Sequence, residues 1–374
     1  MDLRALGFCK AKRTMKRVLN ILRRASVAAA AVLLLAAGVF YLSTYHPRDI
    51  EEQKIVSTGE EPVLKQGQKI KILCWNVQFM AGKNYVFFFD EWDGSGPDER
   101  PSKQDIAVTF GEAARIIAEE NPDTVLLQEL DSGAKRTDGD DQLERLMKLL
   151  PKEYSARTAA WYWKASFVPH PKIMGSVGMK LAVISKYRMT RSVRRQLPLM
   201  PNNPVMRNLQ FKRAVLEAVF PVEGGAPFSA FSVHMDAFAQ GTDTMQRQAE
   251  KVSSMLAEKE EAGGSWVIGG DFNLLPPGEA YSRLPENEKP YFQTESEIKR
   301  LYEEFAGFPP LEAVDGPEAE RYFTHWPNYG SKPDRTLDYY FTGKNITVSD
   351  YRVRSRGTLA ISDHLPIIIE CSLP

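Results

Sequence analysis

The sequence predicts one α/β domain over residues 69–374, preceded by a single apolar helix near the N-terminus. Three observations predict it. Short apolar runs of strand length alternate with longer runs of amphipathic helical spacing, no linker-like stretch divides them, and an uncharged segment, Ala25–Tyr45, stands apart from both. With 374 residues, 43% hydrophobic and 26% charged, the chain can bury a large core, which excludes a disordered or low-complexity protein. No internal repeat of solenoid period is present.

Residues 1–24 form a basic segment, with Arg4, Lys10, Lys12, Arg13, Lys16, Arg17, Arg23 and Arg24 against the single acid Asp2. Residues 25–45 follow, centred on "VAAAAVLLLAAGVFYL", and match the roughly 20 residues that span a bilayer. Positive charge before an apolar span holds the N-terminus in the cytoplasm. The expectation is a single-pass membrane protein with its domain on the periplasmic or extracellular side. Ala36, Ala37 and Gly38 offer the alternative of a cleaved signal peptide. The apolar run continues past them, which favours an anchor, and either reading exports the remainder. Residues 46–68 are polar and aperiodic and read as a linker.

The chain has 48 basic and 48 acidic residues; without the eight bases and one acid of the first segment, 40 and 47 remain, about −7. Such an acidic balance argues against holding nucleic acid chiefly by phosphate neutralisation.

Strands are expected at "KIKILCW" (69–75), "TVLLQEL" (124–130), "KLAVISK" (180–186), "RAVLEAVF" (213–220), "FSAFSVH" (228–234), "SWVIGG" (265–270), "TLDYYF" (336–341) and "PIIIECS" (366–372). Helices are expected from Ser102 to about Asp123 and from Asp243 to the glycines at 263 and 264, with shorter ones at 141–150 and 296–306. Cys9 precedes the apolar segment, and Cys74 and Cys371 fall inside strands, so buried thiols are expected rather than a disulfide framework or a zinc site.

Acids, amides and histidines recur where strands end, the place at which open α/β sheets hold ligands. These are Asn76, Glu129, His234, Asp271, Asn273, Asp338, Asp363 and His364. Each alone has a structural explanation; "GGDFN", for example, could be a tight turn that needs glycine. Together they suggest a metal site, because buried acids are costly unless paired or bound to a cation. Carboxylate and amide oxygens without thiolate select a hard ion, Mg2+ first and Mn2+ or Ca2+ after it.

The ordered series "CWNVQ", "LLQEL", "GMKLAVISKY", "FSVHMDA", "GGDFNLLP", "TLDYYF" and "ISDHLPI" resembles the endonuclease/exonuclease/phosphatase superfamily from about residue 70 to 372. The resemblance implies a four-layer α/β/β/α sandwich of two packed mixed β-sheets. It also implies a metal-dependent phosphodiesterase or nuclease. Glu129 would be the main Mg2+ ligand, assisted by Asn76 and Asp363. Asp271 and Asn273 would orient the attacking water and a phosphate oxygen. His364, held by Asp338, would be general base or phosphate-contacting acid, and His234 would contact the phosphoryl group. Whether Asp271 or His364 activates the water stays open.

His46, His170 and His325 are expected in surface or packing roles, and Lys180 and Arg213 at solvated positions. Two aromatic segments, 77–102 and 159–171, could stack bases, meet lipid or simply pack. The expected substrate is a phosphodiester, phospholipid-like, small or nucleic acid, and no obligatory protein partner is evident. A catalytically silent, membrane-anchored binding module with the same fold is the alternative, although the resemblance finds no catalytic acid or histidine replaced.

Overall fold

A computed structural model describes residues 3–83, 85, 96, 100–237, 239–327 and 330–374. The chain divides into two units, Met1–Tyr45 and His46–Pro374. The first is one helix, α1 (Leu3–Ser43), which runs through both the basic and the apolar segment. Its part Met15–Ser43 is long and apolar enough to cross a membrane.

The second unit opens with the short strands β1 (Ile50–Glu52), β2 (Ile55–Ser57) and β3 (Leu64–Lys65), followed by β4 (Lys69–Asn76) and β5 (Thr124–Asp131). Next come β6 (Ala156–Val168), β7 (Gly175–Ser185), β8 (Arg191–Gln196), β9 (Ala214–Phe220), β10 (Val222–Glu223) and β11 (Phe228–His234). The series ends with β12 (Ser265–Asp271), β13 (Ala306–Phe308), β14 (Asp338–Thr342), β15 (Thr347–Val353) and β16 (Ile367–Ser372). The helices are α2 (Lys103–Glu120), α3 (Gln142–Met147), α4 (Pro204–Leu209), α5 (Thr244–Glu261), α6 (Lys299–Glu304) and α7 (Leu311–Asp315).

Two seven-stranded mixed sheets result, ordered β15-β16-β4-β5-β7-β6-β2 and β1-β8-β9-β11-β12-β14-β13. Each contains one parallel pair, β4 with β5 and β11 with β12. Parallel neighbours need a crossover, and an 18-residue helix supplies it in each case, α2 in the first sheet and α5 in the second. The α2 helix starts where the Ser102 hydroxyl accepts the Asp105 N–H at 3.1 Å and stops at Asn121, which adopts a left-handed φ of 50°. Ile106, Phe110, Ala113 and Ile117 on its inner face pack on Leu73, Trp75, Val125 and Leu127. Met245, Ala249, Val252 and Leu256 of α5 pack on Phe231, Val233, Trp266 and Ile268. Between the sheets the Tyr340 hydroxyl donates to the Ile72 carbonyl at 2.9 Å and the Gln128 amide to the Ser232 hydroxyl at 2.9 Å. The layers are therefore helix, sheet, sheet and helix, as expected.

Several local expectations are corrected. The stretch 46–68 is not a free linker, because β1 pairs with β8 and β2 with β6, at the edges of the two sheets. Its polar sequence suits edge strands, which face solvent on one side. The aromatic run at 159–171 lies largely in β6, a 13-residue strand. Strand β8 carries five polar residues in "RSVRRQ" and escaped the apolar pattern. The helix expected at 296–306 shortens to α6 and gives way to β13. Most of the aromatic segment 77–102 lies outside the described residues. Cys74 and Cys371 are buried free thiols.

Candidate active site

Both parallel pairs end at the same cleft. Asn76 is the last residue of β4, Glu129 lies near the end of β5, His234 ends β11 and Asp271 ends β12. Register aligns His234 directly with Asp271. Glu129 is aimed by a bulge: between Leu127 and Leu130 the pairing with β7 slips, and Glu129 takes a φ of 61°. Non-glycine residues rarely hold such a conformation, and where they do it is commonly at functional sites.

The glycines of "GGDFN" serve close packing rather than a turn. A Cβ on Gly269 would lie 2.4 Å from the Tyr340 ring, and one on Gly270 would lie 2.0 Å from the Val233 carbonyl. This tight packing seats Asp271 beside its neighbours.

The Asn76 side-chain amide donates to Glu129 Oε1 at 3.2 Å and to Asp271 Oδ2 at 3.0 Å, tying the sheets together. Its Oδ1 accepts the Gln78 N–H at 3.0 Å, so Asn76 turns donors, not oxygen, toward the two carboxylates. Asp271 Oδ2 also lies 3.3 Å from His234 Nε2 and 3.5 Å from His364 Nε2, and its Oδ1 accepts the Asn273 N–H at 2.9 Å. Asn273, with φ at 52°, donates its own side-chain amide to the Met235 carbonyl at 3.1 Å.

The segment 362–365 is clamped onto β4. Trp75 donates its indole N–H to the His364 carbonyl at 2.9 Å, and the Ser362 hydroxyl donates to the Asn76 carbonyl at 2.8 Å. His364 Nδ1 meets Asp338 Oδ2 at 2.8 Å, an arrangement that fixes ring orientation. On its other side Leu365 N–H donates to Thr324 and Trp326 N–H to Asp363.

Burial drives the electrostatics. It pushes the Glu129 carboxyl up to about 7, helped by the nearby Asp363 charge. It raises Asp271 to about 6, with the His364 imidazolium pulling the other way, and it raises Asp363 too. Burial disfavours a charged His364, but Asp338, Asp271 and Asp363 overcome this and hold its pKa well above the ordinary range. His234 is pushed well below that range by burial and by Arg213 and His364.

All eight expected site residues thus surround or directly support one cleft, lined by Glu129, His234, Asp271, Asn273, Asp363 and His364, with Asn76 and Asp338 behind. Three expectations about bystanders need correction. His325 is no surface histidine: its ring lies 4.5 Å from that of His364, and it lines the cleft. Arg213, 3% exposed, also lines the cleft and is held by Asp236 at 3.4 Å. Lys180 is paired with Asp141 at 2.8 Å and lies over the Trp161 ring, so it is only partly exposed rather than freely solvated. Arg136, held by Asp131, and Arg335, between Glu288 and Asp334, add further cationic lining that no strand-end motif marked. No local sequence signal marks Arg213, which reaches the cleft one residue before the position paired with His234.

The donor chemistry suits a hard divalent cation, since carboxylate oxygens crowd a buried cleft without thiolates. Among the described residues, ligand atoms of His325, Asp363 and His364, and of Asp271, Asp338 and His364, fall within 4.8 Å of one another. Glu129 belongs to neither group but feels the charge of Asp363.

Fold and cleft together define a class of sandwich proteins that gather acids, amides and imidazoles at the ends of central strands. The chain belongs to the endonuclease/exonuclease/phosphatase family, whose profile matches residues 73–364. Members of this family are hydrolases acting on phosphoester bonds, generally with divalent metal ions.

Solved structures of similar fold include an endonuclease/exonuclease/phosphatase from Beutenbergia cavernae DSM 12333. It has TM-score 0.56 and 19% identity over 82% of this chain and 72% of that one. The human Nocturnin catalytic domain with bound sulfate anion has TM-score 0.51 and 16% identity over 86% and 97% of the two chains. The 3′ phosphatase NExo from Neisseria, bound to product DNA hairpin, has TM-score 0.50 and 16% identity over 80% and 98%. No curated protein sequence matches the chain.

Proposed function

We propose that the chain is a metal-dependent phosphodiesterase that acts by in-line attack of water on phosphorus. The convergence of both parallel strand pairs on one cleft carries this reading, because it unites acids, imidazoles and Arg213 around a space suited to a phosphate. Glu129 and Asp363 would hold the cation, Mg2+ or else Mn2+ or Ca2+, with Asn76 fixing Glu129 by donation rather than as a ligand. A bound divalent ion would offset charge building on the phosphoryl and leaving oxygens.

Asp271 is assigned as the base. At neutral pH it is ionised with its pKa near 6, the range that suits proton abstraction, while His364 already carries its proton. The water proton passes to Asp271, the new O–P bond forms, and the bond to the leaving oxygen breaks. Imidazolium His364, held by Asp338, and His234 and Arg213 meet the nonbridging oxygens. Asn273 steadies Asp271 through its backbone N–H.

A nuclease is the second reading; a nucleic-acid substrate is in keeping with NExo, a 3′ phosphatase solved with product DNA hairpin. For location we infer a single-pass anchor with the domain outside the cytoplasm, supported by the apolar helix Met15–Ser43 and the bases at and before its start. A reporter fused after Pro374 should be active only outside; a cytoplasmic signal overturns that topology. For activity, bis-p-nitrophenyl phosphate should be hydrolysed with added Mg2+ by the wild type, with His364→Ala and Glu129→Ala far slower. Equal rates in all three would instead indicate a binding module.

A further inference from the structure

A second cavity, of about 460 Å³, adjoins the cleft. This lies within the roughly 300–1,000 Å³ of small-molecule pockets. Its walls are mainly apolar, with Val168 from β6, Ile173 from the turn after it, Leu199 and Met200 from the segment after β8, and Val205 and Met206 from α4, while His170, Arg207, Gln210 and Asp236 add polar groups to the lining. Trp163 and Phe211, whose ring centroids are 4.6 Å apart, line both this groove and the cleft. Phe211 in turn carries the Arg213 guanidinium at 4.3 Å. A phosphate beside Arg213 therefore has an apolar channel within reach of one ester arm.

Across Trp163 lies a third cavity, where Arg100, Lys135, Arg136 and Lys172 join the apolar Ile173 and Val177. Trp163 is common to all three. At the rim of the apolar groove Val205 is 56% and Met206 42% exposed. Large apolar side chains left in solvent beside a catalytic cleft mark a place where apolar ligand surface is buried.

We infer that the groove formed by β6, α4 and the segment between β8 and α4 is a subsite for an alkyl or acyl chain, and that the substrate is an amphiphilic phosphodiester with one aliphatic arm. This rests on the phosphodiesterase reading and narrows it. A nucleobase is the less suitable occupant, because the groove walls are mainly flexible aliphatic side chains rather than hydrogen-bonding edges; its one wide aromatic face, Trp163 with Phe211, is shared with the cleft.

The test uses the full chain in lipid nanodiscs with Mg2+ and the methyl, butyl and octyl esters of 4-nitrophenyl phosphate, alongside the thymidine ester. Each methylene taken from water favours binding by up to about fourfold, so kcat/KM for the octyl ester should exceed that for the methyl ester at least tenfold. In the double variant Val205→Asp with Met206→Asp, the octyl-to-methyl ratio should fall toward one. Both positions are exposed, the ratio is independent of the fraction folded, and partition into lipid is the same for both proteins. An unchanged ratio in the variant, a wild-type ratio near one, or a thymidine ester preferred to the octyl ester overturns the subsite.

Calorimetric binding of octylphosphonate against methylphosphonate separates the two ideas. An octyl preference that the double variant loses, without turnover of any ester, leaves the subsite standing and removes the hydrolase. Turnover without chain-length preference does the reverse.

Discussion

Glu129 and Asp271 occupy corresponding places, each near the end of the second strand of a parallel pair, yet Glu129 keeps 19% of its side chain in solvent and Asp271 keeps 1%. Glu129 stands on a bulge with one amide donor, Asn76, beside it. Asp271 is met by Asn76, the Asn273 N–H and two imidazoles. The first arrangement suits a ligand that must exchange ions with water. The second suits a base that must hold one position through each turnover. A doubled β-α-β frame thus supports two roles by changing only what surrounds the acid.

Breaking the enclosed side should cost most. Asp271→Asn, which keeps shape and removes the base, should lower kcat about 10²- to 10⁴-fold in a diester assay with saturating Mg2+. A loss below tenfold would move the base elsewhere. Asp338→Asn should lower kcat about 10- to 100-fold while the Mg2+ concentration for half-maximal rate stays constant, because Asp338 supports an imidazole and not the ion. A shifted Mg2+ requirement would contradict that role.

On the open side, Glu129→Gln should raise the Mg2+ requirement about tenfold or more, and it should also change stability in a pH-dependent way. In chelator, the Glu129 carboxyl titrates near 7 when folded against 4.5 when free. The folded state thus binds the proton more tightly, and stability present below pH 4.5 is lost as pH rises toward 7. The variant lacks this loss, so its Tm relative to wild type should climb between pH 4.5 and 7. A flat difference would mean that Glu129 is not desolvated. The smallest effect is expected outside the cleft. Lys180→Met removes a partly exposed ion pair with Asp141, and unfolding in urea should shift by less than about 1 kcal/mol, with catalysis little changed.

Asn76, Glu129, His234 and Asp271 were legible because each follows an apolar run that forms a strand. Asp363 and His364 stood out as a polar pair set between "LAI" and "LPIII", although only the second run enters a strand. His325 and Arg213 were not legible, because what makes them site residues is position. His325 reaches the cleft through a bridge with His364 some forty residues on in the sequence, and Arg213 through the pairing of β9 with β11. Register between distant strands leaves no local trace. Nor did the short strands β1 and β2 or the polar β8, whose pairing partners rather than a long apolar pattern fix them in the sheets.

Strands β1 and β2 lie only two residues apart, Gln53 and Lys54, yet each closes a different sheet. They act as a seam along one flank of the sandwich. A soluble version begun at Lys69 would strip that seam and bare the outer rows of N–H and C=O groups on β8 and β6, inviting neighbouring molecules to pair there. One begun at His46 keeps both flanks sewn, and should stay dispersed where the shorter one self-associates.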